Sequence, residues 1–326
     1  MPALHYWLLL LVFIAAATAT WLAIRYARWR QLIDQPGERR SHNVSTPRGG
    51  GIGIVASQLL ACGLGVALMP GHAVPLLVFA LGLLLVAGIG WWDDHRSLPA
   101  LPRLCVHLLA GLLLAGIVWF GTGSVVKAVF CFGLAVSLVN IWNFMDGING
   151  LATTQAILVG VGAACLLPGS YALAGWALAA GCAGFLPFNF PRARIFMGDV
   201  GSGALGYLVA GVLALGLSVN DVGTAPVLWL MLPAVFLADA GFTLLSRMLK
   251  GERWMQPHTQ HLYQRFVKRE YSHEVVTLGY ALFTLVGLTL AAQFSRLPLG
   301  WGWAGGVIWL AATAAAWIFL RATAFK

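Results

Sequence analysis

Two adjacent carboxylates, Asp93 and Asp94, close an apolar run that ends Trp91-Trp92-Asp93-Asp94-His95-Arg96. At the C-terminus of a helix each opposes the other and both oppose the helix dipole, so a cation is expected beside them, with Arg96 and a bound Mg²⁺ as candidates. Asn140, Asn143 and Asp146 recur every three residues at the end of another apolar run. On a helix they would project from one face as a column of amide and carboxylate oxygens, suited to a hard cation and its phosphate ligand. The segment 190–203 joins Arg192, Arg194 and Asp199 to a glycine-rich helix start. Guanidinium groups neutralise phosphate oxygens, and glycines let backbone N–H groups approach an anion. The spacing is neither that of a P-loop nor that of a dinucleotide fingerprint, so no nucleotide fold follows.

Weaker signals surround these. Gly49-Gly50-Gly51 after Arg48 could cradle a phosphate or could serve close helix packing, and the sequence leaves both open. His258 and His261 lack a cysteine or third ligand, which disfavours zinc and leaves phosphate binding or proton transfer. Asp239 is the one carboxylate inside an apolar run, a functional candidate whose ordinary alternative is a pairing with Arg247. His5, His72, His107 and His273 read as structural or interfacial residues. Cys62, Cys105, Cys131, Cys165 and Cys182 are odd in number, lie inside apolar runs and read as small buried packing residues.

The elements that must carry these groups are set by composition. Of 326 residues 60% are hydrophobic and 10% charged, with a mean hydropathy of +0.82. That is more apolar surface than one soluble core can bury. The apolar runs are roughly 17–21 residues long, enough to cross a hydrocarbon layer as helices. A transmembrane β-barrel would alternate instead. The predicted fold is all-α, a polytopic helical bundle forming a single membrane domain over 1–326. Eleven spans are expected: Leu4 to Ile24, Gly51 to Met69, Pro75 to Trp92, Leu104 to Phe120, Val125 to Ile141, Leu151 to Leu167, Tyr171 to Pro187, Gly203 to Val219, Ala225 to Leu245, Val275 to Phe294, and Leu299 to Leu320. No cleavage pattern precedes Trp21, so the first run is expected to be a retained span.

Charge orients the bundle. Of the twenty Lys and Arg residues, all but Lys127 and Arg296 fall in one set of loops or at the C-terminus. The positive-inside rule then puts the loops 25–50, 93–103, 188–202 and 246–274 and the C-terminus in the cytoplasm, and the N-terminus outside. The net charge of +9 is explained by this topology and by attraction to anionic lipid, so it gives no argument for nucleic acid. Nine of the eleven acidic residues share that side, with Asp221 outside and Asp239 inside a run, although the bias there favours cations; a common role in holding a divalent cation would explain them.

Taken in order, the motifs resemble those of the polyprenyl-phosphate N-acetylhexosamine-1-phosphate transferase family. The resemblance covers Asp34-Gln35-Pro36 with Arg40-Ser41-His42, then Thr46-Pro47-Arg48 and the glycines after it, Asp93-Asp94, Asn140 to Leu151, Asn189 to Ser202, Asp239 and the loop around His261. It implies Asp93, Asp94, Asp146 and His261 as catalytic residues, and Asp199 with Asp94 and Asp146 as ligands of Mg²⁺, with Mn²⁺ as a substitute. It implies substrate contacts from Arg40, His42, Arg48, Asn140, Asn143, Asn189, Arg192, Arg194, Asp239 and His258. The chain departs from the family pattern at Asn149, often a carboxylate, and at Tyr263 and Gln264, where histidines are common. The wording is closer to the O-antigen-initiating branch than to the muramyl-pentapeptide branch.

The implied reaction moves a sugar 1-phosphate from a UDP-N-acetylhexosamine to undecaprenyl phosphate and releases UMP, on the cytoplasmic face of a bacterial inner membrane. The resemblance alone suggests a homodimer. Because a phosphate monoester is mostly dianionic at neutral pH, Asp93 is expected to position or screen more than to deprotonate. A secondary transporter would need repeats and polar groups near the bilayer midplane, neither of which the sequence carries. Another membrane phosphotransferase, of the CDP-alcohol type, would need an alanine-arginine pair after Asp146-Gly147, where Ile148-Asn149-Gly150 stands.

Overall fold

The computed structural model describes residues 2–35, 44–219, 225–252 and 258–323. Arg40 and His42 lie outside the described residues. Thirteen helices and one small hairpin make up the rest: α1 (Pro2–Trp29), β1 (Ile33–Asp34), β2 (Thr46–Pro47), α2 (Ile52–Leu68), α3 (Ala73–His95), α4 (Ala100–Thr122), α5 (Val125–Met145), α6 (Leu151–Leu166), α7 (Ala172–Asn189), α8 (Asp199–Val219), α9 (Val227–Met231), α10 (Ala234–Leu249), α11 (Leu262–Lys268), α12 (His273–Phe294) and α13 (Leu299–Thr323).

Among the described residues eight helices are long and apolar enough to cross a membrane: α1, α3, α4, α5, α7, α8, α12 and α13. The three remaining runs of the expected eleven differ from these eight in two ways. Helices α2 and α6 are shorter, 17 and 16 residues. The run Ala225 to Leu245 is two helices, because Pro233 lacks an N–H and its ring clashes with the preceding turn; α10 restarts from the Pro233 carbonyl, which accepts the Phe236 and Leu237 N–H groups at 3.0 Å each.

Helix α8 is the axis. In its most apolar stretch 89% of the residues are buried, against 22% in α1 and 17% in α13, so α8 touches protein on nearly all sides while the outer helices turn leucine, valine and tryptophan outward. Its glycines and alanines allow α3 and α5 to pack along it, the small-residue packing usual where helices meet without a hydrophobic drive between them. Of the cysteines, Cys62, Cys131 and Cys182 are buried as expected, but Cys105 and Cys165 are exposed; all five are free thiols.

The chain reverses so that α3, α5, α7 and α10 end on the face where α2, α4, α6, α8 and α12 begin. The β1–β2 pairing, Ile33 opposite Pro47 and Asp34 opposite Thr46, holds Asp34 and Arg48 on this face.

Candidate active site

The helix ends on this face enclose a polar cavity of about 320 Å³. Among the described residues its lining includes Asp34, Asp94, Asp146 and Asp199 and one guanidinium, that of Arg48. Asp94, Asp146 and Asp199 repel one another, so negative charge gathered here is costly unless something positive is added.

Asp94, next to last in α3, reaches α8. Its Oδ1 accepts the Asp199 N–H at 3.1 Å and its Oδ2 the Val200 N–H at 3.0 Å. The carboxylate thus caps the first turn of α8, where N–H groups have no helical partner and the dipole favours an anion. This cap is why α8 starts at Asp199 and not at the expected Gly203. Arg48 Nε lies 4.0 Å from Asp94 Oδ1 and its guanidinium donates to the Asp94 carbonyl.

Asp93 is held differently. It accepts the Leu98 N–H and the Arg103 guanidinium. Arg103 Nη1 is also 3.8 Å from Asp199 Oδ2, so one arginine bridges two carboxylates. The counter-charge is therefore Arg103 and not Arg96. The chain turns extended at Arg96, which leaves that side chain exposed, whereas the first turn of α4 folds Arg103 back over the end of α3.

Asn143 donates to Asp199 Oδ1 at 2.5 Å and to Ser202 Oγ at 2.9 Å. The predicted column does not continue on either side of it. Helix α5 stops at Met145, so Asp146 is a C-cap with φ −90° and ψ 52°. Asn140, a turn deeper, returns its amide to the Val136 carbonyl at 2.7 Å, as buried side-chain donors on helices do when no other acceptor is near. Asn143 and Asp146 line the cavity; Asn140 is not in its lining. No described residue donates a hydrogen bond to the Asp146 carboxylate. Burial, then the negative charges of Asp199 and Asp94, hold its carboxyl well above the ordinary carboxylate range.

The glycine tract takes its packing role. Gly50 and Gly51 donate their N–H groups to the Phe196 and Met197 carbonyls at 2.9 Å, so these donors are taken. Gly198 matters more: at φ +75° an added Cβ would stand 2.6 Å from Asp94 Oδ2 and 2.8 Å from the Gly49 nitrogen. Gly198→Ala is expected to cost about 1–3 kcal/mol of stability from the forced left-handed residue. It should also lower activity by displacing Asp94 from the α8 terminus. Thermal unfolding in detergent and a turnover assay check the two effects.

Other expected contacts lie elsewhere. Arg194 folds back on α7, donating to the Pro187 carbonyl at 2.9 Å and covering the Phe188 ring at 4.7 Å; Arg192 is exposed, and neither is in the cavity lining. Asn189 does line it, as a strut: Oδ1 accepts the Gly150 N–H at 2.8 Å and Nδ2 donates to the Ile195 carbonyl at 3.0 Å. His261 is buried against Asp239, its Nδ1 4.0 Å from Oδ1, and its ring lies 4.8 Å from that of His258. Burial keeps His261 below the ordinary imidazole range, against the pull of Asp239. It is Gln264, three residues on along α11, that enters the cavity lining. His273, expected to be structural or interfacial, enters as well, and its Nδ1 accepts the Asn149 N–H at 3.4 Å. Arg103 and His273 carry no motif of their own, only a position next to a span end on the charged face, whereas Gln264 stands in the loop motif around His261 at a position where the family commonly has histidine.

Carboxylates, amides and a guanidinium group are thus gathered around one polar cavity at the ends of helices long and apolar enough to cross a membrane. Residues 76–217 match glycosyl transferase family 4. The decaprenyl-phosphate N-acetylglucosaminephosphotransferase of Mycolicibacterium smegmatis is 32% identical over 319 residues, covering 83% of this chain and 78% of that protein. The protein of that name in Mycobacterium leprae is 30% identical, covering 90% of this chain and 86% of its own. The undecaprenyl-phosphate alpha-N-acetylglucosaminyl 1-phosphate transferase of Escherichia coli K12 is 25% identical, covering 90% and 85%. The chain belongs to glycosyl transferase family 4.

Proposed function

We propose that the protein transfers N-acetylhexosamine 1-phosphate from a UDP-sugar to undecaprenyl phosphate, releasing UMP and starting a lipid-linked cell-envelope glycan. N-acetylglucosamine, the sugar in the relatives' names, is the first donor to test. The observation that carries the proposal is the clustering of Asp94, Asp146 and Asp199 around one polar cavity at the helix ends of one face of the bundle, an arrangement that would attract a divalent cation and, through it, a diphosphate. The distribution of arginines supports a cytoplasmic position for this face in a bacterial inner membrane.

The residues fit Mg²⁺. Among the described residues no three His, Cys, Asp or Glu side chains form a ready metal site. Mg²⁺ does not ask for one: it keeps several waters and takes one or two carboxylates plus substrate phosphates. Asp199 and Asp146 are the proposed ligands, since Asp146 receives no hydrogen bond from a described residue and Asp199 lines the same cavity. Asp94, whose two oxygens already cap α8, sets the position of Asp199. When bound, the ion would neutralise charge building on the diphosphate oxygens.

In the proposed transfer an oxygen of the lipid phosphate bonds to the sugar-bearing phosphorus and the bond from that phosphorus to the UMP oxygen breaks. Catalysis of this kind is mostly alignment and charge neutralisation. Arg48 faces the cavity and can take a phosphate oxygen; Arg103 steadies Asp93 and Asp199 together. Asp93, with both oxygens engaged, orders the α3–α4 turn and does not serve as a base. The acceptor needs none, because its second pKa of about 6 leaves it mostly dianionic at pH 7.

The test is UMP release by the purified protein given undecaprenyl phosphate and a panel of UDP-N-acetylhexosamines, with Mg²⁺ or with EDTA. Release that needs the lipid, the ion and one sugar is expected. Folded protein that releases no UMP from any donor overturns the proposal.

A further inference from the structure

Asp239, a substrate contact by the family resemblance, borders an apolar cavity of about 310 Å³ and is not in the lining of the polar one. Its carboxylate is 1% exposed and gathers donors from four helices. It accepts the Leu262 and Tyr263 N–H groups of α11 at 2.8 and 3.4 Å, the Tyr280 hydroxyl of α12 at 2.8 Å, the Trp317 Nε1–H of α13 at 3.2 Å, and the Thr243 hydroxyl of its own helix at 3.4 Å. A carboxylate so surrounded by donors is stabilised where it sits and has little left for a ligand. The nearby Arg247 has its Nε on Glu252 Oε2 at 2.9 Å.

What Asp239 anchors is α11, and α11 carries Tyr263 to the other site. The Tyr263 hydroxyl donates to the Phe144 carbonyl at 3.0 Å. That carbonyl belongs to the last turn of α5, where the helix leaves its acceptors without partners. The chain passes so closely that a Cβ on Gly147 would lie 2.1 Å from the Tyr263 oxygen. Tyr263 therefore touches the turn at both of its ends, residues 144 and 147, with Asp146 between them. Asp146 has non-helical dihedrals and no hydrogen bond of its own from a described residue, so its placement depends on what holds that turn.

We propose that Asp239 and Tyr263 are positioning residues: Asp239 docks α11 onto the membrane helices, and Tyr263, carried by α11, fixes the 144–147 turn that presents Asp146 to the cavity. Neither touches substrate. This rests on the transfer reaction proposed above, and it predicts a loss in turnover with binding left intact.

Tyr263→Phe removes one hydroxyl and keeps the buried ring. In the UMP-release assay it is expected to lower kcat about tenfold or more, the scale on which small misplacements of a reacting group are felt. KM for the lipid and for the UDP-sugar should stay within about twofold. The melting temperature should hold, while amide hydrogen exchange across residues 144–150 quickens. Asp239→Asn, which turns one acceptor into a donor, should quicken exchange in both 262–268 and 144–150. A wild-type kcat in Tyr263→Phe, a change confined to KM, or unaltered exchange at 144–150 in both variants overturns the proposal. If the wild-type protein releases no UMP, the reaction assignment fails instead, and the exchange measurement still decides whether α11 holds the turn.

Discussion

Replacing Asp199 by Asn is expected to reduce UMP release about 10³-fold or more, the range seen when a principal charge-stabilising group is removed from an active site, without unfolding the protein. The side chain is isosteric, and the acceptor that Asn143 needs at Oδ1 survives. The N-terminal cap of α8 survives too, because it uses the backbone N–H of residue 199 and the carboxylate of Asp94. What disappears is one negative charge from a cluster in which Asp94, Asp146 and Asp199 repel one another, a loss of repulsion set against the 3.8 Å contact with the half-exposed Arg103, which keeps Asp93. The stability of the ion-free protein should therefore hold or rise while activity falls, the signature of a group kept for function against local stability. Thermal unfolding in EDTA beside the turnover assay separates the two. Activity within tenfold of wild type would remove Asp199 from the centre of the site, and a large fall in melting temperature would make it structural.

Much of this arrangement was legible in the chain before any coordinates. Ten of the eleven apolar runs became single helices, since length and hydropathy suffice where neither proline nor charge interrupts. The eleventh broke at Pro233, a residue whose effect was readable and was outweighed by the hydrophobic run around it. Asp93, Asp94, Asn143, Asp146 and Asp199 could be marked because carboxylates and amides at the ends of apolar runs are costly without a purpose. Pairings were not legible. That Arg103 answers Asp93, that Asp94 caps α8, and that Gln264 and His273 close the cavity depend on which helix ends meet, and spacing along one chain does not specify this. Asp239 shows the limit most clearly: an acidic residue inside a membrane helix signals a function or a partner, and only the convergence of Leu262, Tyr280 and Trp317 on it shows that it anchors α11.

Divalent-ion binding should strengthen with pH, and Asp146 sets the sign. In the ion-free protein, burial and then the charges of Asp199 and Asp94 raise its carboxyl well above the ordinary range, so at mildly acidic pH it keeps a proton that the unfolded chain has lost. A group whose folded pKa is raised adds stability below its unfolded pKa and loses it as pH climbs through the folded value. The melting temperature in EDTA is therefore expected to fall from about pH 4, the ordinary carboxylate value, upward until Asp146 has ionised. Mg²⁺ must displace that proton, since a ligating carboxylate has to be ionised. Below the raised pKa its affinity should then grow up to about tenfold per pH unit, with release of up to one proton per ion. Saturating Mg²⁺ should correspondingly flatten or reverse the fall in melting temperature. Titration calorimetry in two buffers of different ionisation enthalpy counts the protons directly. Asp146→Asn should reduce both the proton release and the pH slope while weakening the ion. If the variant keeps the slope, the displaced proton belongs to another carboxylate of the cavity, and Asp146 is not the group that exchanges a proton for the ion.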